Sequence, residues 1–397
     1  MSKEEDIVIL GVSRTPMGNF GGALKDFSVY ELGRWAIQGA LSKARISAGE
    51  IDEVLGGNTR QAGNGPNPVR TAAILAGIST NVHATTINNA CPSSMKAAII
   101  GTQNIRLGDS DVVVVVGMES MSTIPFFVKN IRWQGIRMGD HKIEDGWGDS
   151  VDPICGFGMG VTAENVAKKY DISRKEMDEF ALSSHLKAAL AQDKGWFDNE
   201  IIPVEIPSTK SKSGSSFERD ESIRRDTTLS KLAALKPAFK VDGLVTAGNS
   251  CGLTDGAAGM IMASRRKAEQ LGVKPLFKIV SYASAAVDNA YMGEGPGISI
   301  PLALGRAGMS LKDMDLIEVN EAFAAQVLAN ERMLRWERDK LNVHGGAIAL
   351  GHPTGCSGIR IMITAYNALV RLNKEFAVCA ICGGGGTTCA VVIQNEG

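Results

Sequence analysis

Thr85-Thr86-Ile87-Asn88-Asn89-Ala90-Cys91-Pro92-Ser93-Ser94-Met95-Lys96 is the stretch on which the reading of this 397-residue chain turns. The segment before the cysteine, Ala84 to Ile87, is short and rich in β-branched residues, so it reads as a strand. From Ser93 to Leu107, Ala, Met and Ile recur at helical spacing. Pro92 suits the first helical position, where a missing N–H costs nothing, and that puts Cys91 at the N-cap of a strand-to-helix turn. Orphan N–H groups and the positive end of the helix dipole favour a thiolate there, which makes Cys91 a candidate nucleophile. The bland alternative is a small apolar residue at a helix start, since free cysteines are usually buried and inert.

Working outward, strand and helix alternate. Ile7 to Val12 and Val54 to Asn58 read as strands, and Val29 to Ala44 and Pro68 to Ala76 as helices. The valine run Val112-Val113-Val114-Val115-Val116 suits a strand buried on both faces, as in a parallel sheet covered by helices. This is an α/β layer. From Ser120 to about Gly248 the pattern loosens: Trp133 to Gly148 is a loop, and Thr162–Tyr170 and Arg174–Lys187 read as exposed amphipathic helices. Ser208 to Ser216 reads as a polar, mobile loop. The alternation then resumes. Cys356 opens a helix ending near Leu372, followed by a strand from Phe376 to Cys382, in the order that Cys91, its helix and the valine strand already show. The chain therefore reads as a duplicated α/β unit with an insertion.

Composition narrows the function classes. The length suggests two or three domains, and a net charge of −1 with mixed signs implies no nucleic-acid surface. No run of 18 apolar residues exists to span a membrane. Met1 to Asp6 is acidic, unlike a signal peptide, and the C-terminal Gln394-Asn395-Glu396-Gly397 carries no address. Seven cysteines at irregular spacing suggest reduced thiols, so a cytoplasmic location is expected. The 45 glycines fall in turns and clusters, which points to close backbone approaches.

Four further blocks carry chemistry. Asn320, in Glu318-Val319-Asn320-Glu321-Ala322-Phe323, follows a short strand and opens an alanine-rich helix, where it either caps the helix or faces a site. His352 lies between glycines in Gly351-His352-Pro353-Thr354-Gly355, with room for a substrate to reach its ring; a surface-loop histidine is the alternative. Cys382-Gly383-Gly384-Gly385-Gly386 exposes backbone N–H groups suited to an oxyanion. Cys379 and Cys382, three apart on a strand, point to opposite faces, which disfavours a zinc or redox pair, so no metal is expected. Thr246 to Ala258 is a glycine-rich loop expected to enter a helix. Ser93-Ser94-Met95-Lys96 matches the S-x-x-K serine motif, but its companion triplets are missing.

Taken in order, Arg14-Thr15-Pro16, Gly117 to Ser122, Met159 to Asn165, Lys236-Pro237-Ala238-Phe239, the Asn320 block, Gly345 to Gly358 and the Cys382 glycine run resemble the thiolase family over nearly the whole chain. The resemblance implies a five-layer α/β/α/β/α fold of two βαβαβ-type halves with an inserted loop domain. The expected division is 1–120 plus 249–273 for the first half, 121–248 for the insertion covering coenzyme A, and 274–397 for the second half. It implies a CoA-dependent acyltransferase that cleaves a 3-oxoacyl-CoA with CoA, or runs the Claisen condensation in reverse, through an acyl-Cys91 thioester. His352 resembles the base that activates Cys91, Cys382 the acid/base at the α-carbon or CoA sulfur, and Asn320 the residue positioning a water in an oxyanion hole shared with His352. The N–H groups of Cys91 and Gly384 resemble a second oxyanion hole. Arg224, Phe239, Ala247, Cys251 and Met159 resemble CoA-contact positions. CoA and acyl-CoA enter as co-substrates with no permanently bound cofactor, and a homodimer or homotetramer is expected, alone or with an accessory subunit. A silent acyl-CoA- or lipid-binding subunit is the alternative.

Some residues depart from the family pattern. Pro92-Ser93-Ser94 follows the nucleophile where the family usually has x-Ser-Gly. Gly158 stands where acetoacetyl-type members commonly carry His, and Cys251 replaces a CoA-loop serine. Loss of bulk at 158 suggests a bulkier or branched 3-oxoacyl-CoA.

Overall fold

The computed structural model describes residues 6–133, 135–208 and 214–397. Residues 1–5 of the Met1 to Asp6 reading and 209–213 of the Ser208–Ser216 loop lie outside the described residues; on either side of the latter, Val204–Ile206 and Ser215–Phe217 pair antiparallel.

The main sheet runs Leu316–Val319, Phe376–Cys382, Thr387–Asn395, Phe277–Ala286, Ile7–Arg14, Thr254–Ser264, Val112–Glu119, Glu53–Gly57, His83–Ile87. Its two ends repeat one pattern. Ile7–Arg14, Thr254–Ser264 and Val112–Glu119 pair antiparallel, and Glu53–Gly57 then pairs parallel. Phe277–Ala286, Thr387–Asn395 and Phe376–Cys382 pair antiparallel, and Leu316–Val319 then pairs parallel. The repeats join where Ile7, Val8 and Ile9 pair with Ile279, Lys278 and Phe277.

Period-two alternation of the side chains divides the core into layers. Val113 and Val115 enter a central cluster with Ala377, Cys379 and Ile381 of the other repeat. Val112, Val114 and Val116 enter an outer cluster with the helix Val29–Ala44. Val378, Ala380 and Cys382 face a second outer cluster that includes Ala324–Leu334 and the insertion. The central layer holds the two helices Ser93–Leu107 and Ser357–Leu372. A section therefore passes helix, sheet, helix, sheet, helix.

The two central helices interlock at their starts. Ser94 Oγ donates to the Cys356 carbonyl at 3.1 Å and accepts from Ile359 N–H at 3.2 Å. Glycine is required beside them: a Cβ on Gly57 would stand 2.4 Å from Ser94 N, and one on Gly117 2.8 Å from Cys356 Cα.

Three local expectations are corrected. The first central helix begins at Ser93 with Pro92 as its cap residue (φ −68°, ψ 0°), so Cys91 sits one residue further out than expected. The chain enters this turn through left-handed Ala90 (φ 51°), and Ser93 Oγ closes it by donating to Ala90 O at 2.5 Å and accepting from Asn89 N–H at 2.8 Å. The glycine-rich stretch after Thr246 leads into the strand Thr254–Ser264, not a helix. Its small residues serve close packing: a Cβ on Gly259 would meet Ala36 O of the covering helix at 2.6 Å. The helices Met159–Lys169 and Arg174–Asp193, expected to be exposed, each bury a face, with Val166, Met177 and Ala181 fully covered in the second outer cluster.

Candidate active site

The strand ends and helix starts of both repeats converge on one cavity of about 570 Å³. Cys91, Met159, Phe239, Cys251, His352 and Gly384 all line it. Ser250, Gly252 and Leu253 also line a neighbouring hollow of about 420 Å³, which holds Arg224 and Ala247. Asn320 and Cys382 are buried behind the cavity wall. The residues singled out from the sequence thus line one of two neighbouring spaces that share a wall, or are buried close to them.

Cys91 is half-buried at the cavity wall. Gly383 packs against the turn that carries it, since a Cβ there would stand 2.5 Å from Pro92 Cδ. This contact brings the end of the Cys382 strand onto the Cys91 turn. Burial pushes the Cys91 thiol up to about 11. The Gly384 N–H, the Arg60 guanidinium and Cys91's own N–H pull it down, without offsetting the burial. The expectation of a standing thiolate is therefore corrected: in this apolar cavity desolvation outweighs the helix start, and at neutral pH the group is a thiol.

His352 explains how that thiol can be used. Ser357 Oγ donates to Pro353 O at 3.0 Å and lies 2.6 Å from His352 Nδ1. With its one proton committed, the serine must accept, so Nδ1 carries the hydrogen and Nε2 keeps its lone pair. Asn320 Nδ2 stands 3.4 Å from Nε2. Burial, helped by the positive Arg360, takes His352 down to about 3. The imidazole is neutral, and Nε2 keeps an unprotonated lone pair facing Asn320 Nδ2.

Asn320 is not a helix cap. The helix begins at Ala324 with Phe323 before it, and Asn320 is fully buried with Oδ1 lacking a hydrogen-bond partner among the described residues. Its N–H bonds Ala380 O at 3.0 Å, tying it to the Cys382 strand. Cys382 is almost fully buried; burial, then the neighbouring Cys91 and Cys251, raise its thiol far above the ordinary range. Cys379 faces the central cluster instead, so the C-x-x-C pair diverges.

Three residues with defined contacts at the site had no assigned role from sequence. Ser357 sets the His352 tautomer. Glu119, fully buried, accepts from Asn58 Nδ2 (2.7 Å), Thr59 N (3.1 Å), Arg60 N (3.0 Å), Thr354 Oγ1 (2.7 Å) and Gly355 N (2.8 Å), so it clamps the loop after Gly57 to the loop after His352. Arg60 lines the cavity and stacks over Trp147 at 4.9 Å. Glu119 lies inside a recognised motif, which was the available signal. Arg60 offers none, because a single arginine in a loop is ordinarily solvated.

Comparison with known proteins agrees with this arrangement. Residues 7–266 match the model of the thiolase N-terminal domain, and 273–395 that of the thiolase C-terminal domain. The chain is 44% identical over 397 residues to the acetyl-CoA acetyltransferase of Pseudomonas aeruginosa, covering 99% of this chain and 100% of that one. It is 45% identical over 391 residues to a probable acetyl-CoA acyltransferase of Staphylococcus epidermidis, with 98% of each covered. Among solved structures, human mitochondrial 3-ketoacyl-CoA thiolase in complex with CoA superposes at a TM-score of 0.95 with 41% identity, covering 99% of this chain and 98% of that chain. The acetyl-CoA acetyltransferase of Bacillus anthracis gives 0.95 and 42%, with 98% of each covered.

Proposed function

Because this chain belongs to the thiolase family, we propose that it works through a thioester on Cys91, with His352, Cys382, Asn320 and the Gly384 N–H serving that sulfur. The protein is a CoA-dependent acyltransferase. The observation that supports this assignment of residues best is the open Nε2 of His352, held in place through Ser357, on the cavity that Cys91 and Gly384 also line.

In the thiolysis direction, Cys91 Sγ attacks the 3-oxo carbon while its proton passes to His352 Nε2. The bond between carbons 2 and 3 breaks, and its electron pair enters the thioester enolate. Cys382 protonates that α-carbon and is left as a thiolate, and acetyl-CoA departs. A second CoA gives its thiol proton to Cys382 and attacks the acyl carbon. The Cys91 sulfur leaves and recovers its proton from His352. Every proton is returned, and the acyl group has moved from carbon to sulfur. The N–H groups of Gly384 and Cys91 serve the oxyanion at the acyl carbon. Asn320, with its unpartnered buried Oδ1, holds a water beside His352 for the enolate oxygen.

CoA lies along the hollow with Arg224 and Ala247 and reaches Cys91 past Ser250, Cys251, Phe239 and Met159. Residues 121–248 form a loop domain over it, between a first half of 1–120 plus 249–273 and a second of 274–397. The enzyme is cytoplasmic and forms a homodimer or homotetramer; among the described residues no helix is long and apolar enough to cross a membrane. Oligomerisation would cover Trp133, Ile136 and Met138, which stand out from the insertion at 91%, 74% and 105% exposure. The acyl group is larger than acetoacetyl: a Cβ at Gly158 would meet nothing within 4 Å, so the cavity is open there. Thiolysis rates with acetoacetyl-CoA and with longer, branched or aromatic 3-oxoacyl-CoAs test this reading. Faster cleavage of the larger substrates is expected; a clear preference for acetoacetyl-CoA contradicts the size assignment, and no cleavage of any contradicts the function.

A further inference from the structure

Two side chains hold His352, and each has a charged neighbour one step behind it. Ser357 Oγ lies at Nδ1 and Asn320 Nδ2 at Nε2. Arg360 follows Ser357 by three residues on the helix Ser357–Leu372, so the two share a helix face. Glu318 precedes Asn320 by two residues of extended chain, so those two share a side. That side is the central layer: Leu316 lies in the central cluster, Ile317 and Val319 in the outer one, and Cys379, the partner of Glu318 across the sheet, lies in the central cluster too.

Glu318 and Arg360 are each 1% exposed. Neither oxygen of Glu318 has a hydrogen-bond partner among the described residues, and neither do Nη1 and Nη2 of Arg360. The other titratable groups around Glu318 are engaged. Glu321 accepts from Ser184 Oγ, Asn342 Nδ2 and Ile348 N–H. Lys187 Nζ donates to Leu341 O at 2.8 Å. Glu200 accepts from Arg14 Nε at 2.9 Å and from Thr364 Oγ1 and Asn367 Nδ2, both at 3.2 Å. Cys379 Sγ lies 4.0 Å from Ile361 O.

A carboxylate buried without hydrogen bonds is costly, so such a group keeps its proton to higher pH. Burial outweighs the nearby Arg360, and Glu318 is pushed up to about 8. A guanidinium stays charged inside proteins, and after burial itself the Arg360 charge is what opposes a proton on His352. Glu318 is therefore mostly neutral at pH 7. Once ionised, it offsets Arg360.

We infer that Glu318 is a positioning residue for acylation: acting through Arg360, its charge state sets how readily His352 takes the proton of Cys91. The role rests on the acyltransferase reading above and adds a pH control to the same site. With acetyl-CoA, a bond forms between Cys91 Sγ and the acyl carbon, and the bond from that carbon to the CoA sulfur breaks. The Cys91 proton passes to His352 Nε2 and on to the CoA sulfur. While Glu318 holds its proton, Arg360 alone faces the transient imidazolium. When Glu318 is ionised the imidazolium is less disfavoured, and acylation is faster.

The test is the single-turnover rate of Cys91 acylation by acetyl-CoA, read by mass spectrometry of the intact protein, in wild type and in the isosteric Glu318→Gln. Taking the ratio of the two removes the part of the pH dependence that Cys91 itself contributes. The ratio should be near one at pH 6.5 and rise to about fivefold or more at pH 9.5. In Arg360→Lys, which keeps the charge, adding Glu318→Gln should give the same pH-dependent ratio; in Arg360→Gln it should not. A ratio that is constant from pH 6.5 to 9.5, at one or at any other value, overturns the inference, because a packing role moves the rate equally at every pH. A pH-dependent ratio that survives in Arg360→Gln also overturns it. Should the variants not fold, a wild-type rate that fails to rise over this range overturns it without them. If no acyl-enzyme forms at any pH, the inference falls together with the acyltransferase reading, an outcome distinct from acylation with a flat ratio.

Discussion

Cys91 and Cys356 occupy matching places in the two repeats. Each stands just before a central helix, and the two helices end alike, at left-handed Gly108 and Asn373. Their surroundings differ. Cys91 opens on the cavity, whereas Cys356 is fully buried in the central cluster. Acidity does not separate them: burial pushes Cys91 up to about 11 and Cys356 up to about 12. A helix start does not by itself make a nucleophile. What sets Cys91 apart is access to the cavity and, on the same cavity, an unprotonated imidazole, His352, brought in by a loop of the other repeat.

The largest effect that sharpens this comparison is Cys91→Ala. It should lower turnover by about 10⁴-fold or more and leave thermal stability nearly unchanged, because the side chain is only half-buried. Comparable turnover in this variant would break the contrast outright. Next comes Cys382→Ala, which should still form the acyl-enzyme from an acyl-CoA but lose condensation by about 10²- to 10⁴-fold. Single-turnover acylation and steady-state condensation, measured side by side, separate the two steps. Ser357→Ala should reduce acylation by about tenfold, since His352 is then free to adopt the wrong tautomer. Ser357→Thr, which keeps the hydroxyl, should recover most of it.

The pH dependence probes the same contrast. Alkylation of Cys91 by iodoacetamide should rise steadily from pH 6 to 10, because the thiolate fraction grows as pH approaches about 11 from below. A plateau below pH 8 would indicate a standing thiolate and break this part of the account. His352, at about 3, should give no protonation limb in acylation between pH 5 and 8. The smallest effect is expected from Cys356→Ala: loss of about 1 kcal/mol of stability by chemical denaturation, with turnover within about twofold.

The sequence made much of this legible. The valine run and the repeated order of cysteine, helix and strand foretold buried strands and a repeated unit, because composition and order survive in a single chain. Cys91, Asn320, His352 and Cys382 stood out as candidates by residue type and, for His352 and Cys382, by the glycines beside them. Other features depend on tertiary contacts that no local pattern carries. The glycine-rich loop Thr246 to Ala258 reads as a helix entry, yet it runs into the strand Thr254–Ser264, where Gly259 lies against the Ala36 carbonyl. The helix start at Cys91 suggested a thiolate, but the cost of desolvation appears only once the cavity walls are in place. Glu119 acts across the halves through Thr354 and Gly355, Arg60 meets Glu119, Trp147 and Ser150 far along the chain, and Ser357, though close to His352 in sequence, gains its meaning only from the ring orientation that the fold imposes.

The most direct test is to mix the protein with an acyl-CoA, quench, and map the acyl group by peptide mass spectrometry. The account predicts one thioester, on the peptide containing Cys91, absent in Cys91→Ser and unaffected by Cys356→Ala. An acyl group on another residue, or one that persists without Cys91, would contradict it.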